Sequence, residues 1–330
     1  MRGRMTSTEL SSRASEPRSP TDAPPQPWWR RALPFVVAVG LVAFTLHKVD
    51  LRAFVRQLQA VNPPLFFGFA LLFMLALLTA DAFATSIVYR RTVAPIRFTD
   101  FWILRGASYL PSLLNHHVGQ VFITYYISRG YGVPLARMTG GTLLVYVSWM
   151  GLLVGTGCLA MVVAGQPLLW PALIVALGLA YLAVIAVRPA FLARTRLLGP
   201  LFEAGLVGHL IAMVVRIPHL VVLFLGTWLP FSFFGIDIPF LSAIVYVPIL
   251  MVGVTLPITP QGLGTRDLLA ATFFEKFAHH PTHEERLAAI AAATTSWVVA
   301  FTLTEALFGL LLLRRALPAL EKRSSAAAAG

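Results

Sequence analysis

Long apolar runs separated by short basic segments set the pattern of this chain. Continuous apolar stretches occupy Leu33 to Leu46, Pro64 to Val88, Thr139 to Val163, Leu168 to Val187, Leu206 to Leu229 and Leu287 to Leu313. A helix needs roughly 20 apolar residues to cross a bilayer core, so these runs predict six full spans, the first short enough to draw on its flanks. Two further apolar regions, Phe101 to Ser128 and Phe240 to Phe277, are interrupted by prolines, glycines and polar residues and make poor simple spans. Asp50 to Val61 and Pro189 to Ala204 carry Arg and Leu at helical spacing, which predicts amphipathic helices at the membrane interface. Met1 to Pro27 is rich in Ser, Pro and Arg and predicts a disordered cytoplasmic tail. It does not read as a signal peptide, because the first apolar run begins only near Leu33, after Arg30 and Arg31.

Composition agrees with the pattern. Hydrophobic residues make up 57% of the 330 and charged residues 12%, with a mean hydropathy of +0.76, far from the balance of soluble domains. The fold class expected is an all-α polytopic membrane bundle of six spans plus two segments that break at membrane depth. The formal charge of +12 sits largely in the tail and in short loops, where basic residues orient membrane proteins; it therefore argues against nucleic acid as a partner. Cys158 is the single cysteine, so no intramolecular disulfide forms.

The same basic residues predict topology. Arg30 and Arg31 place the N-terminus inside; Arg90, Arg91 and Arg97, then Arg188, Arg194 and Arg196, and finally Arg314, Arg315, Lys322 and Arg323 return the chain to the cytoplasm. The scheme closes if each interrupted region starts and ends at one face, the first at the cytoplasmic face and the second outside. Lys48, Arg52 and Arg56 fall outside in this scheme and count against it. The organisation expected is a tail over 1–30, a membrane domain over 31–316 with halves of about 31–164 and 165–316, and a second tail over 317–330.

The interrupted regions resemble each other. "LPSLLNHHVGQ" (Leu110 to Gln120) and "LPITPQGLGT" (Leu256 to Thr265) both run from Leu-Pro through polar residues to an apolar-Gly-polar triplet. Ser148-Trp149 follows Leu110 by 38 residues, and Ser296-Trp297 follows Leu256 by 40. With opposite inferred orientations, this predicts two inverted repeats, each with two spans, a re-entrant hairpin and a third span. Unpaired backbone groups at membrane depth cost several kcal/mol each, so such breaks persist only against protein or a polar cavity. Pro257, Pro260, Gly262 and Gly264 would end one half-helix and start another near Arg266 and Asp267, where free N–H groups and a guanidinium favour an anion such as a lipid phosphate. The competing reading is a Pro/Gly turn in an external loop with a solvated Arg-Asp pair.

"LPITPQGLGTRD" resembles the P-x-T-P-x-G-x-G-x-R-E signature of the flippase-like membrane domain found in the lysylphosphatidylglycerol synthase family. The resemblance covers about Leu33 to Arg315. It implies movement of a lipid or lipid-linked molecule between leaflets of a bacterial inner membrane, with Thr259, Gln261, Gly262, Gly264, Arg266 and Asp267 at the substrate. Two positions depart from the family pattern. Asp267 stands where Glu is usual, keeping the carboxylate. Gly119 is followed by Gln120 and then "VFITYY", where the family commonly has an acidic residue and an Arg. A weaker grip on an anionic headgroup from that side is expected, which admits a neutral or less charged lipid. Only "ALPALEKRSSAAAAG" follows Arg315, so aminoacyl transfer is not expected of this chain alone.

Asp81, Arg216, His219 and Glu305 lie within predicted spans, where a charge marks a substrate path or an internal pair. Arg216 precedes Pro218, which would kink its helix. Asn115, His116, His117 and Gln120 mark the first break. Of these intramembrane groups, Arg216 and Glu305 join the break residues in the expected binding set. His279 to Glu285, "HHPTHEE", has donors at metal-like spacing but falls in a predicted external loop and reads as solvated. Trp28, Trp29, Trp102, Trp170 and Trp228 read as interfacial anchors, whereas Trp149 and Trp297, near mid-span, read as packing between helices. Lipid flipping or scrambling is the function expected, with a membrane lipid as partner and no cofactor or catalytic residue. The alternatives are an integral-membrane enzyme using Asp267 or His117 for proton transfer, and an accessory subunit working beside lipid-synthesis enzymes.

Overall fold

The computed structural model describes residues 61–255 and 265–329. The run Leu33 to Leu46, nearly all of Asp50 to Val61, and Thr259, Gln261, Gly262 and Gly264 lie outside the described residues. Within them the chain is helical. The helices are α1 (Pro63–Thr92), α2 (Phe98–Ala107), α3 (Tyr109–Ser112), α4 (His116–Gly130), α5 (Leu135–Val163), α6 (Leu169–Val187), α7 (Ala190–Ala193), α8 (Gly199–Val214), α9 (Ile217–Trp228), α10 (Phe240–Thr255), α11 (Thr265–Phe274) and α12 (His283–Ala329). Among the described residues, five stretches are long and apolar enough to cross a membrane: α1, α5, α6, the succession from Gly199 to Phe234, and His283 to Ala316. They coincide with the last five apolar runs of the sequence, and the chain is a multi-pass membrane protein.

Local chemistry explains where these helices begin. Asn62 caps α1, accepting a hydrogen bond from Leu65 N at 3.2 Å, and Pro63 and Pro64 follow at the first turn, where a missing N–H costs nothing. Thr282 and Glu285 cap α12 reciprocally: Glu285 N donates to the Thr282 hydroxyl and Thr282 N to the Glu285 carboxylate, each at 3.2 Å. The amphipathic helix expected over Pro189 to Ala204 is not continuous. A single turn, α7, ends at Ala193; Thr195 Oγ1 then accepts from Leu198 N at 3.1 Å, and Gly199-Pro200 starts α8. Thr195 turns its hydroxyl on the backbone and Pro200 lacks an N–H, so the helix restarts rather than continues.

The described residues of each interrupted region form two helical arms, with the ends of the arms tied together. In the first, α2 and α3 lead in and α4 leads out. The Tyr131 hydroxyl accepts from Arg97 N at 3.1 Å and donates to Asp100 at 2.7 Å, fixing the end of α4 to the start of α2. In the second, α10 leads in and α11 out. An antiparallel bridge joins Ile236 to Ala278, and Asp237 N donates to Phe277 O at 3.1 Å. The arms are short: α4 has 15 residues and α11 has 10, whereas at about 1.5 Å per residue a crossing of roughly 30 Å needs about 20. Gly119 lets the arms of the first hairpin touch, since a side chain there would overlap Ser112 and meet Ser108 O at 3.0 Å.

The bases of the two hairpins lie at opposite ends of α1. Phe101, near the first base, packs edge-on against Tyr89 at 5.5 Å, close to the α1 C-terminus. Phe234, at the second base, packs edge-on against Phe66 at 5.7 Å, in the first turn. The buried apolar residues divide the same way: one cluster holds Phe66, Phe73, Phe231, Phe274 and Trp297, the other Tyr89, Phe101, Ile123, Met138 and Phe202.

Candidate functional site

Asp81, midway along α1, is buried and holds two guanidinium groups. Arg105 Nε of α2 donates to Asp81 Oδ2 at 2.6 Å, and Arg216 Nη1 donates to Oδ1 at 3.0 Å. Thr85, one turn on, donates to Asp81 Oδ1 at 3.3 Å and accepts from Arg216 Nη2 at 2.6 Å. Arg216 reaches this position because α8 ends at Val214 and Pro218 opens α9; the break turns the side chain inward. The expected proline effect is present, and Arg216 belongs to an internal ion pair.

Around the triad, polar groups gather with few partners. His219 packs against the Trp149 ring at 4.9 Å, Arg105 lies over the Tyr109 ring at 5.5 Å, and His116 meets Tyr146 edge-on at 6.2 Å. Glu305 on α12 lies within electrostatic reach of Arg105. Arg105 Nη1, Arg216 Nε, His219 Nδ1 and the Tyr146 hydroxyl are buried and have no protein hydrogen-bond partner. Such groups cost about 1–3 kcal/mol each unless satisfied by water or ligand.

A second feature lies on the other side of Trp149. A cavity of about 150 Å³ is lined by Trp149, Trp297, Phe231, Thr227, Thr255, Thr294 and Arg266 among others, and Arg266 is the one ionic side chain among its described lining residues. Arg266 is the second residue of α11, with Asp267 in the same first turn. Trp297 both packs between helices, its ring 5.1 Å from that of Phe73, and walls this cavity; Trp149 does the same beside His219.

The expected binding residues thus separate into two groups. Arg216 is a member of the Asp81 triad and Glu305 lies within electrostatic reach of its Arg105, while Arg266 lines the cavity. Asn115, His116, His117 and Gln120 line no part of that cavity. Asn115 caps α4, accepting from His117 N at 2.8 Å, and both histidines are exposed at the hairpin tip. "HHPTHEE" is largely exposed, in keeping with a solvated loop; its His283 and the following Arg286 both donate to Glu275 Oε1, at 2.5 and 3.2 Å, tying the loop to the residues just after α11.

Arg105 is the residue that sequence reasoning missed. The residues after Gly119 carry no charge before Arg129, whereas Arg105 lies on the incoming arm, α2. A lone Arg in "FWILRGASYLP" was the available signal.

The family described as lysylphosphatidylglycerol synthase TM region matches residues 31–292. No curated protein and no solved structure matches the chain.

Proposed function

The chain belongs to the lysylphosphatidylglycerol synthase TM-region family, whose role is tied to membrane lipid, and from this premise we propose that it moves a lipid or lipid-linked molecule between leaflets. The observation that carries the reading is Arg266: a cation in the first turn of a 10-residue helix, lining a cavity between helices. Backbone N–H groups and a guanidinium there favour a phosphate, which the guanidinium can hold through two parallel hydrogen bonds. The cavity is too small for acyl chains, which would stay in lipid while the headgroup passes.

Two further features support an inverted arrangement of the halves, with the hairpins re-entering from opposite faces. Their bases pack at opposite ends of a 30-residue helix, and the repeated Ser-Trp pairs converge, Trp149 and Trp297 walling one cavity while Ser148 and Ser296 lie buried. The Asp81 triad continues the polar path past Trp149 toward the first hairpin. In this reading both termini are cytoplasmic, the membrane is the bacterial inner membrane, and the protein acts as a transporter without a catalytic step.

Reconstituted vesicles with headgroup-labelled lipid and an impermeant quencher test the proposal. Arg266→Lys keeps the charge without the fork and should slow transbilayer movement partially; Arg266→Ala should slow it at least tenfold at unchanged abundance. Asp267→Glu should be tolerated and Asp267→Asn should not. Arg266→Ala protein that is stable and moves its lipid at the parent rate removes the second hairpin from the mechanism.

A further inference from the structure

The walls of the Arg266 cavity carry information about the headgroup, beyond the presence of a phosphate. Thr227 Oγ1 donates to Leu223 O at 2.8 Å, Thr255 Oγ1 to Met251 O at 2.7 Å, and Thr294 Oγ1 to Ile290 O at 3.1 Å. Each hydroxyl has committed its one proton to the preceding turn of its own helix, so what it offers the cavity is acceptor lone pairs. Trp149, Trp297 and Phe231 complete the walls with aromatic rings, whose faces attract cations. Arg266 is a pure donor. The cavity therefore pairs one cationic donor with a cluster of neutral acceptors and rings, and the described lining contains no carboxylate.

Resting on the transport reading above, we propose that this cavity selects a phosphate ester of a primary amine, the zwitterionic headgroup of an ethanolamine-type phospholipid. The phosphate sits on Arg266 and the α11 N-terminus; the ammonium, with three N–H donors, sits among Thr227, Thr255 and Thr294 and against the indoles. A glycerol headgroup can give its two O–H protons to these threonines, but it brings no cation for the aromatic rings and its hydroxyl oxygens find no donor among the threonines. A quaternary ammonium has no N–H to give them. A headgroup with an additional amine would bury an extra positive charge beside Arg266 with no carboxylate in the described lining to balance it, which is costly in low dielectric.

The test is binding of short-chain lipids to the purified full chain in detergent, read by tryptophan fluorescence or calorimetry. Dihexanoyl phosphatidylethanolamine should bind at least tenfold more tightly than dihexanoyl phosphatidylglycerol or phosphatidylcholine. Thr227→Val with Thr255→Val and Thr294→Val keeps the shape of the walls and removes their acceptors; the preference should collapse toward unity while phosphatidylglycerol binding persists. Persistence of that binding also reports a folded cavity, and the single change Thr294→Val, expected to lower the preference severalfold, covers the case of a triple variant that does not fold. Arg266→Ala should weaken all three lipids. Free phosphoethanolamine in the same titration separates a lipid from a soluble source: affinity only for the lipid marks the headgroup as membrane-borne, and equal affinity with the same threonine dependence supports the same chemistry on a soluble ester. Equal binding of the three lipids by the parent protein, or a preference untouched by the valines, overturns the proposal. Because the readout needs no transport, selective binding without lipid movement in vesicles would sink the transport reading alone, and movement without selectivity would sink the headgroup assignment alone.

Discussion

Asp81 accepts hydrogen bonds from two guanidinium groups at once, so removing its charge strands both. Breaking a buried ion pair from one side costs about 3–5 kcal/mol, whereas replacing all members by apolar groups is often neutral. Asp81→Asn should therefore lower the melting temperature in detergent sharply, while Asp81→Leu with Arg105→Met and Arg216→Met should restore much of it and still lack lipid transport. A triple variant with parent stability and parent transport would mark the triad as packing only. Just after α11, hydrogen bonds from His283 and then Arg286 hold the Glu275 carboxyl below its usual range. A lowered carboxyl contributes stability that is complete above its unfolded value, about 4.3, and is lost as pH falls through the folded value. Melting temperatures from neutral to strongly acidic pH should show that acid-side loss in the parent and less of it in Glu275→Gln. Asp81 and Arg216 stood out in the sequence because a charge in an apolar run is conspicuous. Their bond did not, since 135 positions separate them and only the packing of α1 against the α8–α9 break unites them.

At the scale of elements, the hairpins hold their ends with very few bonds. Tyr131→Phe deletes both hydrogen bonds that tie α4 to the start of α2 and should cost about 1–2 kcal/mol, visible as a lower melting temperature and earlier proteolysis near Arg129. An antiparallel bridge sets partner Cα atoms about 4.5–5.5 Å apart, within disulfide reach. Ile236→Cys with Ala278→Cys, on a Cys158→Ala background, should therefore cross-link readily under mild oxidation. Failure to cross-link would mean that the second hairpin does not close where the bridge places it. The first break was legible, because Pro111, Asn115 and the paired histidines interrupt an otherwise apolar run. The closure of the hairpins was not: a tyrosine hydroxyl and a two-residue bridge leave no periodic trace. The restart at Gly199 was missed for a related reason, since leucine and arginine spacing favoured one helix while Thr195 and Pro200 acted locally against it.

For the whole molecule, the proposed inverted arrangement puts the two hairpin bases at opposite membrane faces. On a Cys158→Ala background, Pro281→Cys should react with an impermeant thiol reagent from outside the cell, and Ala193→Cys should not. The reverse result would overturn the inverted arrangement. Hydropathy made the five described spans legible because the bilayer admits little else. It said nothing of rank among them. Along α6 only Pro171 and Ile185 are buried, and the Tyr181 hydroxyl, 2.7 Å from His209 Nε2, is its one side-chain hydrogen bond. Almost every other side chain of that helix faces outward, so it answers to the solvent rather than to neighbours. In a deep mutational scan α6 should behave as a thickness gauge: any apolar letter is accepted at nearly every position, a deletion of several residues is not, and two unrelated strings of equal length and greasiness are interchangeable there.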